Sequence, residues 1–315
     1  MKRFIGTMLI GYFLFAGLSF GQTDKKSLAG KISISGAWAL YPMALKWAEE
    51  FQKPNPRVKI DVQAGGAGKG IADVLAGMVD YGMVSRDVYP QEVEKGALPI
   101  AVTKDGVVAT VSGKNPFLND LLNKGLTKSH FIDIWISGKI ATWGQVLGTQ
   151  DKAAVHVFTR SDACGAAETW AAYLGKRQED LGGVGVYGDP GLADAVRRDA
   201  LGIGYNNINF AYDAKSLRAV SGIAIVPIDL DGNGKIDARE SVYATRDDIT
   251  QAIAKNIYPS PPARDLYLVA KGKPANRAAV EFLRWILSDG QKYVPETGYI
   301  PLSKEKLAEG LNKIK

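Results

Sequence analysis

Lys31-Ile32-Ser33-Ile34-Ser35-Gly36-Ala37-Trp38-Ala39-Leu40-Tyr41-Pro42 runs from a β-rich segment through a turn of small residues towards a helix. Pro42 suits the first helical position, where its missing N–H costs nothing and its fixed φ is already helical. Met43, Trp47 and Phe51 follow at i, i+4 and i+8, one apolar face of that helix. The unpaired N–H groups of such a helix start, at the positive end of its dipole, can seat an anion. A strand feeding a helix through a tight turn is the unit of an α/β fold.

The unit recurs along the chain. Strand patterns lie at Lys31–Ser35, Val58–Val62, Tyr81–Val84, Gly106–Val111, Val155–Thr159, Ile223–Ile228 and Leu266–Ala270. Helical faces are marked by Ile71, Val74, Leu75 and Met78, by Ala167, Trp170, Ala171 and Leu174, and by Val280, Leu283 and Leu287. At 315 residues the chain can build roughly two domains, and with no long linker it is expected to cross between them more than once. One Cys, 46% apolar residues and 35 Gly exclude a disulfide scaffold, a disordered chain and a collagen.

Lys2 and Arg3 precede an apolar, small-residue run from Phe4 to Phe20, which reads as a signal peptide over residues 1–21, cleaved near Gly21. Its loss lowers the net charge from +6 to +4, because both charges removed are basic. So mild an excess, without basic runs interleaved with aromatics, excludes a nucleic-acid binder and leaves a weak field favouring small anions. Cys164 has no partner, so in an oxidising compartment it is expected to be buried or in a pocket.

Two further turns repeat the first. Ala64-Gly65-Gly66-Ala67-Gly68-Lys69-Gly70 lies between a strand and a helix, where glycines let the main chain approach a ligand and Lys69 can add charge. It is no nucleotide-binding loop, since that motif needs Gly at Gln63 and Ser or Thr at Gly70. Thr159-Arg160-Ser161-Asp162-Ala163-Cys164-Gly165-Ala166-Ala167 is the third. Arg160 can grip an oxyanion through parallel N–H bonds while Asp162 fixes its orientation. Ser85 and Arg86, just after a strand, could add a hydroxyl and a cation or could simply end that strand in solvent.

These segments resemble the periplasmic phosphate-binding proteins of ABC importers. The likeness continues through Val79-Asp80-Tyr81-Gly82, Ile134–Ile140 with Trp143, Gly202-Ile203-Gly204-Tyr205, and Phe282-Leu283 to Pro301-Leu302. It implies an α/β, two-lobed periplasmic-binding-protein fold of type II, with mixed β-sheets flanked by helices. One lobe would comprise residues 25–109 plus 260–315 and the other 110–259. It also implies an oxyanion held between the lobes by Ala39, Leu40 and Tyr41, by Gly66, Ala67, Gly68 and Lys69, by Ser85 and Arg86, and by Arg160, Asp162, Cys164, Gly165 and Ala166. The partner would be the membrane permease of an ABC importer, and the chain a periplasmic monomer with no cofactor for chemistry. Where that family has four hydroxyls this chain has Leu40, Ala67, Cys164 and Ala166, and where it has an Asp this chain has Ser85. That Asp accepts the proton of hydrogen phosphate, which sulfate lacks, so Ser85 bears on selectivity.

Asp229-Leu230-Asp231-Gly232-Asn233-Gly234-Lys235-Ile236-Asp237-Ala238-Arg239-Glu240 fits the twelve-residue calcium-loop pattern. It would hold Ca²⁺ with Asp229, Asp231, Asn233, the Lys235 carbonyl, Asp237 and Glu240. A strand pattern precedes it where an EF-hand has a helix, so a structural strand–loop–helix site is expected. His130 and His156 lack ligand spacing, and Trp135, Trp143, Trp170 and Tyr173 read as lobe core. Two other functions fit the same residues: an exported phosphohydrolase using Asp162 and Ser161, and a sensor or adhesion protein using the same cleft.

Overall fold

The computed structural model describes residues 28–315, so the signal-peptide reading of residues 1–21 lies outside the described residues. Nine strands form one curled, mixed sheet: β1 (Gly30–Gly36), β2 (Val58–Ala64), β3 (Tyr81–Val84), β4 (Ala97–Ser112), β5 (His156–Arg160), β6 (Val184–Val186), β7 (Gly202–Asn207), β8 (Ile223–Ile225) and β9 (Ala263–Lys271). Their order is β2-β1-β3-β9-β4-β7-β5-β6, with β8 on β4. Pairing is parallel at both flanks, β2-β1-β3 and β7-β5-β6, where helical crossovers connect the strands.

The centre differs. β4, 16 residues long, pairs antiparallel with β9 from Ala97 to Gly106 and with β7 from Val107 to Val111. One strand therefore belongs to both lobes. Two apolar cores meet along it. The first gathers Ile34, Trp47, Tyr81, Val102 and Phe282, and the second Val107, Trp135, Trp143, Trp170 and Tyr205. Val107, Val108 and Ala109, assigned by sequence to the first lobe, pack in the second core, as does Ala263. Trp170 and Tyr205 stack at 5.7 Å there, so the second lobe's aromatic group is packed core.

The local patterns fold as their periodicity requires, with informative departures. Met43, Trp47 and Phe51 are all buried on the helix Tyr41–Gln52. The helix Ala67–Leu75 ends before Met78, which is 72% exposed beyond Gly77 (φ +73°). β7 escapes the sequence reading because Gly202, Gly204, Asn206 and Asn207 carry little β propensity, yet all six of its residues are buried. Its place between β4 and β5 makes it a strand.

Candidate functional site

The end of β1 sets the site's geometry. A Cβ on Gly36 would lie 2.3 Å from Met83 O and 2.7 Å from Gly70 Cα, so only glycine allows β1, β3 and the helix Ala67–Leu75 to touch. The Gly36 carbonyl then accepts the N–H groups of Gly65 and Gly66 at 2.8 and 3.0 Å, tying the first two turns together.

In the first turn a 3₁₀ segment, Trp38–Leu40, precedes the helix. It uses the amides expected for a ligand: Leu40 N–H donates to Ala37 O and Tyr41 N–H to Trp38 O. Ala39, 1% exposed, keeps an N–H with no acceptor among the described residues. The Trp38 indole Nε1–H is buried and likewise has no partner among the described residues.

The second turn faces the third. Gly68 N–H, expected to bind ligand, instead donates to Ala163 O at 3.1 Å, a main-chain latch between the lobes. Ala67, fully buried at the helix start, keeps its N–H unpaired among the described residues. Gly66 (φ +89°) packs so closely that a Cβ there would lie 2.9 Å from Ala163 O and 3.0 Å from Asp162 Oδ2. Lys69 folds back along its own helix to Asp73, which also accepts Ser35 Oγ–H at 2.6 Å. It is therefore not the free cation the sequence suggests.

Ser85 and Arg86 part company. Ser85, 2% exposed, packs against Gly165, and its Oγ has no hydrogen-bond partner among the described residues. Arg86 turns away to Glu92 through two bonds of 2.9 and 2.7 Å and lies 4.0 Å over the Tyr89 ring.

The third turn holds the charge. Arg160, at the end of β5, has a side chain with 0% exposure. It donates through Nε and Nη2 to the two oxygens of Asp162 at 2.8 and 2.6 Å, and through Nη1 to Asp189 at 2.6 Å. Burial alone would weaken its charge, but Asp189 and Asp162 outweigh that and hold it protonated. Gln178 braces the turn, donating to Asp162 O at 2.7 Å and accepting Cys164 N–H at 3.1 Å.

Cys164 caps the next helix by accepting Ala167 N–H at its Sγ, and burial pushes its thiol up to about 12. The amides of Gly165 and Ala166, both buried at the start of the helix Gly165–Tyr173, find no acceptor among the described residues. Orphaned helix-start donors beside a buried guanidinium offer hydrogen-bond donors and positive charge of the kind that can seat an anion.

Sequence reasoning missed Asp189, 29 residues from Arg160 and 1% exposed in the first turn of the helix Gly188–Arg198. An acid opening a helix was the one local sign of it. Its other oxygen accepts Asn207 Nδ2–H at 2.7 Å, Asn207 accepts from Arg264, and Arg264 Nε donates to Asp105 at 3.0 Å. Asp105 and Arg264 are register partners on β4 and β9, and burial pushes Asp105 up to about 6. A buried polar chain thus links the third turn to the strands that join the lobes.

The Asp229–Glu240 loop stands apart from this site. Carboxylate oxygens of Asp229, Asp231 and Glu240 lie within 4.8 Å of one another. Of the other expected ligands, Asn233 bonds Asp231, Asp237 caps the Arg239 N–H, and the Lys235 N–H donates to Asn233. A strand, β8, precedes the loop, but no helix follows until Arg246. His130 bonds Thr127, and His156 pairs with Asp199 at 2.8 Å.

Residues 21–290 match the PBP superfamily domain. The chain belongs to the PBP superfamily. Among the proteins it is similar to are two phosphate-binding proteins PstS. That of Staphylococcus epidermidis is 24% identical over 327 residues, covering 100% of this chain and 94% of the relative, and that of Staphylococcus aureus is 23% identical over 322 residues, covering 99% and 92%. The PBP fold recurs in a substrate-binding protein from Clostridium perfringens solved with bound phosphate (TM-score 0.71, 24% identity, covering 87% of this chain and 100% of that one). It recurs also in an ABC-type phosphate transport receptor from Vibrio cholerae (TM-score 0.63, 20% identity, 87% and 100% coverage). Among the described residues of this PBP-superfamily chain no helix is long and apolar enough to cross a membrane.

Proposed function

We propose that this chain is an exported, monomeric solute receptor that captures inorganic phosphate or a related tetrahedral oxyanion between its lobes and delivers it to the permease of an ABC importer. The observation that carries this reading is Arg160, buried and oriented by Asp162, beside the amides of Ala67, Gly165 and Ala166, which are unpaired among the described residues. The named functions of the relatives point the same way. A hydrolase would need Asp162 to activate Ser161, but Asp162 spends both oxygens on Arg160 and one also on Gly188 N–H, while Ser161 is exposed.

Calorimetry of the purified protein with phosphate, sulfate, arsenate, molybdate and tungstate, alongside a phosphoester turnover assay, tests the proposal. Tight phosphate binding without turnover is expected; turnover, or no heat with any oxyanion, would sink it.

The same proposal gives the Asp229–Glu240 loop a structural Ca²⁺, supported by its three convergent carboxylates. Calcium at about a hundred times its Kd should add about 2.7 kcal/mol of stability. That corresponds to a melting shift of roughly 5–10 °C. Glu240→Gln should remove the shift, and a melting curve indifferent to chelator in the wild type would argue for an empty acidic turn.

A further inference from the structure

The charge balance of the third turn bears on the ionic form of the ligand, an inference that rests on the oxyanion reading above. Arg160 supplies one positive charge, and Asp162 and Asp189 supply two negative ones. The three side chains are 0%, 9% and 2% exposed, so water screens them little. The nearby cations are already matched: Lys69 by Asp73, Arg86 by Glu92 and Arg264 by Asp105. The other ionisable groups packed around the cluster add no positive charge. The Cys164 thiol and Tyr205 phenol are held neutral by burial, and Glu168 is a further acid, accepting Gln178 N–H at 3.1 Å.

The ionisable side chains of the third turn are therefore net negative before any ligand enters. Three of the five N–H groups of Arg160 are spent on carboxylates, which leaves two for a ligand. A dianion would face two carboxylates against one guanidinium. A monoanion that still carries protons meets less repulsion and can donate as well as accept. Acceptors for such protons are at hand: Ser85 Oγ, which has no partner among the described residues, and the second lone pair of Asp162 Oδ2, which faces the Gly66 turn.

We infer that Asp189 tunes this site, through Arg160, to singly charged, proton-bearing oxyanions, so that it takes dihydrogen phosphate in preference to the hydrogen phosphate dianion and excludes sulfate. Asp189 is a positioning and charge-setting residue here, not a ligand contact. Its near neighbour Asn207, neutral, shows what an amide in the same network can hold: one oxygen faces Arg264 while its Nδ2–H faces Asp189.

The test is calorimetric titration of the wild type and of Asp189→Asn with inorganic phosphate and with sulfate, from about pH 5.5 to 8.5, a range that spans the ionisation between the two phosphate forms. In the wild type, apparent phosphate affinity should fall by about tenfold per pH unit once the dianion predominates, with no sulfate binding. Asp189→Asn should flatten that slope, gain about tenfold or more in phosphate affinity at the alkaline end, and admit sulfate. A wild-type affinity that is flat or rises with pH overturns the inference while leaving phosphate binding in place. A slope unchanged in Asp189→Asn overturns the role given to Asp189. The wild-type profile needs no variant, so it decides the ionic form even if Asp189→Asn folds poorly. Absence of phosphate heat in the wild type at every pH overturns both this inference and the reading beneath it.

Discussion

The turns Gly65–Lys69 and Arg160–Ala166 meet face to face, and they are made of similar local parts: a strand end, small residues and a helix start. Their contributions differ. The first supplies shape, since Gly66 and Gly68 let the main chain come against Ala163 and Asp162, and its one cation is turned back to Asp73. The second supplies charge, through a guanidinium gripped by two buried carboxylates. Two turns of one kind can thus divide recognition between them, because main-chain approach needs only glycine whereas a buried charge needs a network around it.

The largest break in that division should come from Arg160→Ala. It removes two unspent N–H donors on a buried guanidinium and strands Asp162 and Asp189 without their cation. Oxyanion binding should vanish, and stability should fall by about 3–5 kcal/mol, the usual cost of breaking a buried pair. A variant that binds like wild type, or melts with it, would remove charge from the second turn's role.

Gly165→Ala probes the contact between the lobes. A Cβ there would sit 2.1 Å from Ser85 O and 2.2 Å from its Oγ, so closure must give way. An overpacking cost of about 1–3 kcal/mol corresponds to roughly 5- to 150-fold in Kd. The melting temperature of the free protein should fall as well, since the overlap is with a main-chain oxygen of the structure itself. Calorimetry and melting on one sample separate the two effects, and unchanged affinity would mean that the lobes need not meet at Ser85 to bind.

The smallest effect is expected from Lys69→Ala. An exposed i, i+4 pair contributes about 0.3–0.5 kcal/mol to stability in the free and bound forms alike, so it largely cancels and Kd should change by less than about twofold. A tenfold loss would show that Lys69 leaves Asp73 to meet the ligand, and the division between shape and charge would need redrawing.

Much of this site could be read in the linear chain because its parts are local. Arg160 and Asp162 are two residues apart, at the end of a strand whose pattern is plain, so their partnership needs no tertiary information. The glycines between Gly65 and Gly70 likewise announce close main-chain approach. The errors are of the opposite kind. Leu40 and Tyr41 lose their free amides to a 3₁₀ turn that Pro42 permits but does not require. Arg86 finds Glu92, and Gly68 finds Ala163, through folding of the chain back on itself.

Sequence by itself determined the α/β units, the three turns and the Arg160–Asp162 pair, since each rests on periodicity or spacing within a few residues. Only the tertiary structure decided that β4 would serve both lobes, that β7 would be a buried strand, and that Asp189 would claim one end of Arg160. The physical reason is that local geometry is set by backbone stereochemistry, whereas the partner of a buried charge is set by which distant segment the packed core brings within hydrogen-bonding reach.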